Sequence, residues 1–376
     1  MRMRARFVWG RMGQLATVAA NNSSREDLMG WPERKLIEEG VLSMLSVNMG
    51  LKEGERLLVV ADPPTLAHWQ EEDPSALKTQ LERSMLSRMV AEIAEDAFPD
   101  SVVEFYAYPS VGQHGREPGE IEAAKMLQAD VLIAIVNYSL SHTNARAGAT
   151  RAGTRIASMP GFEARMFHPG GPMSVDYPQV AEDTEKLARL VTAADTATVR
   201  SPGGTDITFS VAGREGGVDT GLCSERGAWS NLPAGETYAA PVEGTAEGVI
   251  VVPAGWYPDL IEDMILRFEA GLVVRLEGGG KVGDTFRGLL QLGSEEEVHK
   301  LRRNLAELGI GTNPNAKQPD NVLEAEKIKG TVHLAIGDSS HMGGTVVADL
   351  HEDFVIPEPD LLLDGTLVIE GGEWRI

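Results

Sequence analysis

The stretch DVLIAIVN, Asp130 to Asn137, is the most apolar strand that the sequence predicts, and it decides the fold class. A short continuous apolar run is typical of a strand buried on both faces, as in a parallel sheet. A similar run, RLLVVAD, extends from Arg56 to Asp62 between turn-forming residues. The remaining predicted elements of this half are strands at 102–108 and 155–159 and helices at 75–97, 120–128 and 144–152. This alternation predicts a doubly wound α/β domain.

Chain length and a change in pattern predict the domain organisation. A chain of 376 residues is longer than one core usually serves. Near residue 195 the alternation gives way to short β-rich segments separated by glycine turns. We therefore expect a loosely ordered N-terminal leader (1–30), an N-terminal α/β domain (31–195) and a C-terminal α+β domain with β-rich segments that carries the metal and the catalysis (196–376).

Composition excludes several classes of protein. The formal net charge of −22 argues against nucleic-acid binding, which needs a basic surface. Cys223 is the only cysteine, so neither an intramolecular disulfide nor a thiolate metal cluster can form. No apolar run approaches the roughly 20 residues that span a bilayer, and Arg11 interrupts the segment after the basic start. We expect a cytoplasmic protein without nucleic-acid or membrane partners.

Histidines near the C-terminus form a candidate metal-binding pattern. In TVHLAI, the alternation places His333 on the face opposite the apolar side chains, beside small neighbours that leave room for an ion. In HED, an extended backbone would project His351 and Asp353 to one face and Glu352 to the other. Imidazole and carboxylate are the usual ligands of zinc, cobalt, manganese and iron.

Two glutamates add to this pattern. We expect Glu307 to end a helix that spans about 295–306 and to lie against a glycine-rich turn. The helix dipole disfavours a negative charge at this end of a helix, and this cost favours a functional role for the carboxylate. Glu236 lies between a Pro-Gly turn and a β segment. Both carboxylates are candidates for a functional cleft.

Taken together, four segments resemble the M29 family of metalloaminopeptidases, the aminopeptidase T group. They are NLPAGETYAAP (231–241), AELGIGTNP (306–314), EKIKGTVHLAIG (326–337) and LHEDFVI (350–356). The resemblance extends to GTDITFSV (204–211) and to the N-terminal half, and it is the combination of segments that is specific.

The resemblance implies a site with two divalent ions. The metal ligands that it implies are Glu236, Glu307, His333, His351 and Asp353, with Glu236 shared between the ions. It also implies an aminopeptidase that removes N-terminal amino acids from small peptides by metal-activated water, and a homodimer. Zinc, cobalt and manganese suit these ligands equally well.

One departure from the peptidases affects the predicted reaction. The peptidases carry a tyrosine soon after the first histidine, whereas no tyrosine lies between His333 and His351 here, and the loop joining them is shorter. Candidates for the missing catalytic groups are Glu243 as base and His341 or Ser340 as donor. The short loop resembles that of a second branch of the superfamily, which includes mononuclear iron(II) ring-cleaving dioxygenases of the dihydroxypyridine type. We expect an aminopeptidase; such a dioxygenase and a non-catalytic metal-binding protein are the alternatives.

Overall fold

The computed structural model describes residues 32–376, and the leader predicted for residues 1–30 lies outside this range. The α-helices are α1 (Arg34–Ser43), α2 (Leu66–Glu71), α3 (Pro74–Ala97), α4 (Glu120–Gln128), α5 (Asn144–Ala152), α6 (Tyr177–Ala193), α7 (Gly280–Leu290), α8 (Glu297–Arg302) and α9 (Val322–Ala325). The strands are β1 (Arg56–Ala61), β2 (Val102–Ala107), β3 (Val131–Val136), β4 (Arg155–Pro160), β5 (Thr196–Arg200), β6 (Asp206–Ser210), β7 (Gly217–Asp219), β8 (Trp229–Asn231), β9 (Glu236–Ala239), β10 (Glu247–Val252), β11 (Met264–Glu269), β12 (Leu272–Gly278), β13 (Leu305–Gly311), β14 (Val332–Gly337), β15 (His351–Ile356), β16 (Asp360–Leu363), β17 (Thr366–Glu370) and β18 (Glu373–Trp374).

A parallel sheet takes four of its strands from the first part of the described chain and its fifth, β8, from residues 229–231. Its strand order is β2-β1-β3-β4-β8, and every neighbouring pair is parallel. Successive residues of the central strands enter different cores: Val59 and Ile133 pack with residues of α1 and α3, whereas Leu58 and Leu132 pack with residues of α4 and α5. Because both faces are covered, the strands can be apolar throughout. The predicted doubly wound α/β arrangement is confirmed.

The later strands form two antiparallel sheets that share one core. One sheet has the order β12-β11-β10-β6-β5-β16-β17-β18, and the other has the order β15-β14-β13-β9-β7. We call the second the site sheet. Apolar side chains from both, such as Phe209, Ile250, Leu308 and Leu334, meet in a single cluster. The β-rich character predicted for this half is confirmed, and the exact domain boundaries remain a prediction.

The structure corrects the predicted surroundings of Glu307. Helix α8 ends at Arg302, and Glu307 lies inside strand β13 rather than at a helix end. Every residue of β13 is buried, and Gly309 and Gly311 lie on the same face of it as Glu307. The glycines that suggested a turn instead let neighbouring groups approach the strand closely.

No helix within residues 32–376 has the length and apolar content needed to cross a membrane.

Candidate metal centre

The five ligands expected from the sequence project from one face of the site sheet. In β14, Val332 and Leu334 enter the shared core, so the intervening His333 points to the opposite face. The same alternation in β13 and β15 places Leu308 and Phe354 in the core. The predicted ligands on this second face are Glu236, Glu307, His333, His351 and Asp353.

Glu307 is the centre of this group. Its Oε1 atom lies 3.4 Å from Nε2 of His333, and its Oε2 atom lies 3.1 Å from Nε2 of His351. The Oδ2 atom of Asp353 lies 3.5 Å from the same nitrogen of His351. One potential ligand atom from each of Glu307, His351 and Asp353 lies within 4.8 Å of the others. These three residues form the candidate metal triad.

Small residues make space for the triad. Strand pairing places Ala335 of β14 between Glu307 and Asp353, so only a methyl group separates the two carboxylates. Gly309 pairs with His333, and a Cβ atom on Gly309 would stand 1.8 Å from Nε2 of that ring. The imidazole therefore lies directly over the glycine backbone.

A backbone contact prepares His351 for metal binding. Its Nδ1 lies 2.8 Å from the carbonyl oxygen of Asp338. A carbonyl can only accept, so Nδ1 carries the proton and Nε2 presents its lone pair to the triad. Metal-binding histidines are commonly oriented by such a second hydrogen bond. About a third of the His351 side chain is exposed, at 32%, so an ion can reach it from solvent.

Buried charges shift several pKa values in this cluster. Burial opposes ionisation of Glu307, but hydrogen bonds with the two histidines hold the pKa of its carboxyl well below the usual range. Burial would lower the pKa of His333, yet contact with Glu307 and Glu236 raises it to about 9. The contacts therefore favour a negative charge on Glu307 and a positive charge on His333.

Glu236 also contacts a buried lysine. Its Oε1 atom lies 2.5 Å from Nζ of Lys327, and its Oε2 atom lies 3.4 Å from Nε2 of His333. Three buried atoms of the ligand residues accept or donate no hydrogen bond: Oε2 of Glu236, Nδ1 of His333 and Oδ1 of Asp353. Unsatisfied buried polar atoms are costly, and a bound cation would compensate the carboxylate oxygens.

The three predicted catalytic residues lie around the loop between β14 and β15. Ser340 donates a hydrogen bond to Asp338, 2.8 Å away. Glu243 pairs with Arg214 at 2.5 Å and accepts a hydrogen bond from the Thr345 backbone, so its carboxylate holds this loop. His341 is exposed. The proposed catalytic roles of all three remain predictions.

Sequence reasoning missed His142. It follows β3, at the carboxyl edge of the parallel sheet, and its ring stacks on that of His341 with centroids 5.2 Å apart and planes inclined by 26°. Loss of hydration, followed by the nearby His341 and His351, lowers the pKa of His142. A polar residue in the loop that follows a buried parallel strand was the available signal, because ligands bind at the carboxyl edges of such sheets.

Fold and site together define an α/β protein with a candidate metal site on an antiparallel sheet. The sequence profile of the NicX 2,5-dihydroxypyridine 5,6-dioxygenase family matches residues 50–375, and the chain belongs to this family. The 2,5-dihydroxypyridine 5,6-dioxygenase of Pseudomonas putida KT2440 is 23% identical over an alignment of 282 residues, and the match covers 68% of this chain and 74% of that relative.

Two solved structures share the fold. The 2,5-dihydroxypyridine dioxygenase of Pseudomonas putida KT2440 superposes with a TM-score of 0.68 and 17% identity, over 91% of this chain and 97% of the other. Wild-type AmpT from Thermus thermophilus superposes with a TM-score of 0.60 and 16% identity, over 91% of this chain and all of the other.

The family match corrects the expected activity. The aminopeptidase prediction is wrong, and with it the assignment as a hydrolase and protease acting on small peptides, because the matching family is a dioxygenase family. The motifs correctly indicated a fold that both solved structures share, and a shared fold does not define the reaction.

Proposed function

We propose that this chain is an iron(II)-dependent dioxygenase that opens the ring of a dihydroxylated pyridine. Its membership of the 2,5-dihydroxypyridine 5,6-dioxygenase family over residues 50–375 carries the proposal. The triad of Glu307, His351 and Asp353, which faces solvent on the His351 side, supports it.

The donor set suits a ferrous ion. Non-haem iron oxygenases typically use two histidines and one carboxylate, with other positions left open. The triad here has one histidine and two carboxylates, and a second imidazole, His333, adjoins Glu307. Nitrogen and oxygen donors of this kind bind iron(II). The Oδ1 atom of Asp353 is buried without a hydrogen-bond partner, and a cation bound by the triad would compensate it.

When bound, a ferrous ion supplies the one-electron chemistry that lets dioxygen react with an electron-rich ring. Glu307, His351 and Asp353 would hold the ion, and the Asp338 carbonyl keeps His351 in the required tautomer. The buried floor beneath the triad, formed by Ala335 and its strand neighbours, excludes water from the inner side. The reaction would then take place on the open side.

His142 and His341 are suited to handling the substrate on that open side. Their exposed rings stack on each other, and His351 is near enough to His142 to help lower its pKa, so a planar heteroaromatic ring bound beside His351 could pack against them. The lowered pKa of His142 keeps its imidazole neutral near pH 7, so it can accept the proton of a ring hydroxyl group. Removing that proton makes the ring more electron-rich.

Oxygen consumption tests the proposed function. Protein purified anaerobically and supplied with iron(II) is mixed with 2,5-dihydroxypyridine, and dissolved oxygen and ring absorbance are followed. We expect one oxygen molecule consumed per ring opened, and no release of amino acid from aminoacyl reporter substrates. A rate equal to that of free iron(II) would reject the proposal, provided that metal analysis shows a loaded protein.

A further inference from the structure

The connections of the parallel sheet change direction at strand β1. The chain passes from β1 to β2 on one side and then crosses to β3 on the other side, as the order β2-β1-β3-β4-β8 requires. In open α/β sheets, ligands bind outside the carboxyl ends of the two strands between which this change occurs. We call this region the switch-point crevice. The residues that we assign to it are His68, Gln80, Arg83, His114 and Tyr138, and none of them belongs to the candidate metal triad.

Three aromatic rings line this crevice, one from the segment after each of β1, β2 and β3. The ring of Tyr138 stacks on that of His68, with centroids 6.3 Å apart, and packs at an angle against that of His114, at 5.5 Å. Nδ1 of His68 accepts a hydrogen bond from the backbone of Thr65 at 3.1 Å, and Nδ1 of His114 accepts one from the backbone of Ser139 at 3.1 Å. Nδ1 therefore carries the lone pair in both neutral rings, and each ring presents an Nε2–H donor.

Arg83 adds a partly buried positive charge. Its Nε atom donates to the Phe162 carbonyl at 3.0 Å, and its Nη1 atom donates to the Asn137 side chain. Within residues 32–376, its Nη2 atom donates no hydrogen bond, and no carboxylate forms an ion pair with the guanidinium. Loss of hydration, followed by the nearby Arg83, lowers the pKa of His114, so the guanidinium lies near the rings. Arg83 can therefore bind an anion beside the two Nε2–H donors.

Gln80 adds an acceptor on the same face of α3, three positions before Arg83. Its side chain is 8% exposed. Its Nε2 atom donates to the carboxylate of Glu72, and burial, followed by the charge of Glu72, raises the pKa of Tyr138. Because a carboxylate can only accept, the orientation of the Gln80 amide is fixed, and its Oε1 atom is buried without a hydrogen-bond partner. A ligand with an N–H group would remove the cost of this unsatisfied acceptor.

Donors for an anion and an acceptor for an N–H group thus belong to one crevice. A neutral amide suits Gln80 better than an ammonium, because burying a charge costs more than burying an amide. A planar amide can also pack on the ring of Tyr138. We propose that the switch-point crevice binds a small carboxylate that also carries an amide group. Arg83 and the Nε2 atoms of His68 and His114 hold the carboxylate. Gln80 accepts the amide N–H, and this binding is independent of the proposed reaction.

Isothermal titration calorimetry of the full-length protein tests this proposal. The probes are succinamate, which has one carboxylate and one amide, succinate, which has only carboxylates, and succinamide, which has only amides. We expect one succinamate per chain, bound at least about tenfold more tightly than either of the others, because each of them leaves one side of the crevice unsatisfied. Equal affinities for the three probes, or no detectable binding of succinamate, would overturn the proposal.

Two variants assign the two ends of the ligand. Gln80→Met removes the acceptor and should abolish the preference for succinamate over succinate. Gln179→Met is the matched control, since Nε2 of Gln179 also donates to a carboxylate, that of Asp183 at 3.1 Å, but on helix α6; it should keep the preference. His114→Phe keeps a ring beside Tyr138 and removes the Nε2–H donor, so succinamate and succinate should both bind at least about fivefold more weakly. A preference that survives in folded Gln80→Met, or affinities that are unchanged in folded His114→Phe, would refute the proposed site.

Asp353→Asn separates the crevice from the candidate metal site, because a carboxylate ligand can also bind a metal ion. We expect succinamate to bind this variant as tightly as wild type. Loss of binding would assign succinamate to the metal site and overturn the proposal. If one crevice variant does not fold, the other variant and the three probes on the wild type still decide the matter. A protein that binds succinamate but leaves dihydroxypyridine intact would reject the proposed function alone, and an active protein that does not bind succinamate would reject this proposal alone.

Discussion

The ring of His333 rests on the Cα atom of Gly309: a methyl group added there would stand 1.8 Å from Nε2 of the imidazole. No heavy atoms approach so closely, so residue 309 and the ring cannot both keep their places if a side chain is present. His333 is itself confined between Glu236 and Glu307. The position of the His333 ring between Glu236 and Glu307 therefore requires glycine at residue 309.

Gly309→Ala is expected to displace His333 and disturb Glu307. Overpacking of a buried site typically costs about 1–3 kcal/mol of stability, and we expect weaker manganese binding as well. Gly288→Ala is the control, because a Cβ atom there meets nothing within 4 Å in helix α7; it should be neutral or stabilising by up to about 1 kcal/mol. Urea unfolding and metal titration measure both effects, and equal behaviour of the two variants would contradict the expectation.

Asp353→Asn should abolish tight metal binding and lower oxygen consumption by at least about a hundredfold, because an amide is a much weaker metal ligand than a carboxylate. Glu352→Gln, on the opposite face of the same strand, should bind metal normally. Its side chain accepts a hydrogen bond from Tyr257 at 2.9 Å, which glutamine can also accept. Metal analysis and an oxygen electrode distinguish the two variants; similar losses in both would argue against the triad.

His142→Ala should slow turnover without unfolding the protein. Loss of a general base typically costs at least about a hundredfold in rate, whereas exposed substitutions usually change stability by less than about 0.5 kcal/mol. Since the neutral imidazole is the active form, the wild-type rate should fall as pH decreases through the lowered pKa of His142. This acid limb should disappear in the variant. A pH profile unchanged by the substitution would exclude the role, and His341→Ala shows how much the stacking alone contributes.

Asp62 should make stability depend on pH. It is buried just after β1, and burial raises the pKa of its carboxyl from 3.8 to about 6, although Asn137 and Tyr138 donate hydrogen bonds to it. The folded state therefore binds this proton more tightly than the unfolded state, so the contribution is present below about pH 4 and is lost as pH rises through 6.

Asp62→Asn removes this titration. We expect the free energy of unfolding of the variant, relative to wild type, to increase by up to about 3 kcal/mol between pH 4 and pH 7. Urea unfolding of both proteins across this range measures the difference. A constant difference would show that the hydrogen bonds from Asn137 and Tyr138 fully compensate the buried charge.

The hydrophobic pattern of the sequence correctly predicted the strands that follow a simple repeat. DVLIAIVN became the central strand β3, and the alternation around His333 correctly placed that side chain opposite the core. The environment of Glu307 could not be predicted in this way. Its strand owes its stability to pairing with β9 and β14, which are distant in sequence, and this pairing overrides the preceding helical pattern.

The residues that contact the candidate site could not be predicted from the sequence either. Nothing in the segment EKIKG distinguishes the buried Lys327 from the partly exposed Lys329, because burial depends on where Glu236 lies in three dimensions. His142 belongs to the other half of the chain and contacts His341 only through tertiary packing. The predicted activity was wrong for a related reason. The types of the candidate ligands indicate which metal ions can bind, but they do not determine which reaction is catalysed.

Strand β5 finds one of its two neighbours only near the end of the described chain, since Arg200 pairs with Asp360, 160 positions later. At synthesis rates of about 5–20 residues per second, roughly ten to thirty seconds pass between the synthesis of β5 and the synthesis of that neighbour. During this interval an open strand edge is available to other growing chains. The yield of native protein in a cell thus depends on whether the unpaired edge of β5 is covered until translation of the chain is complete.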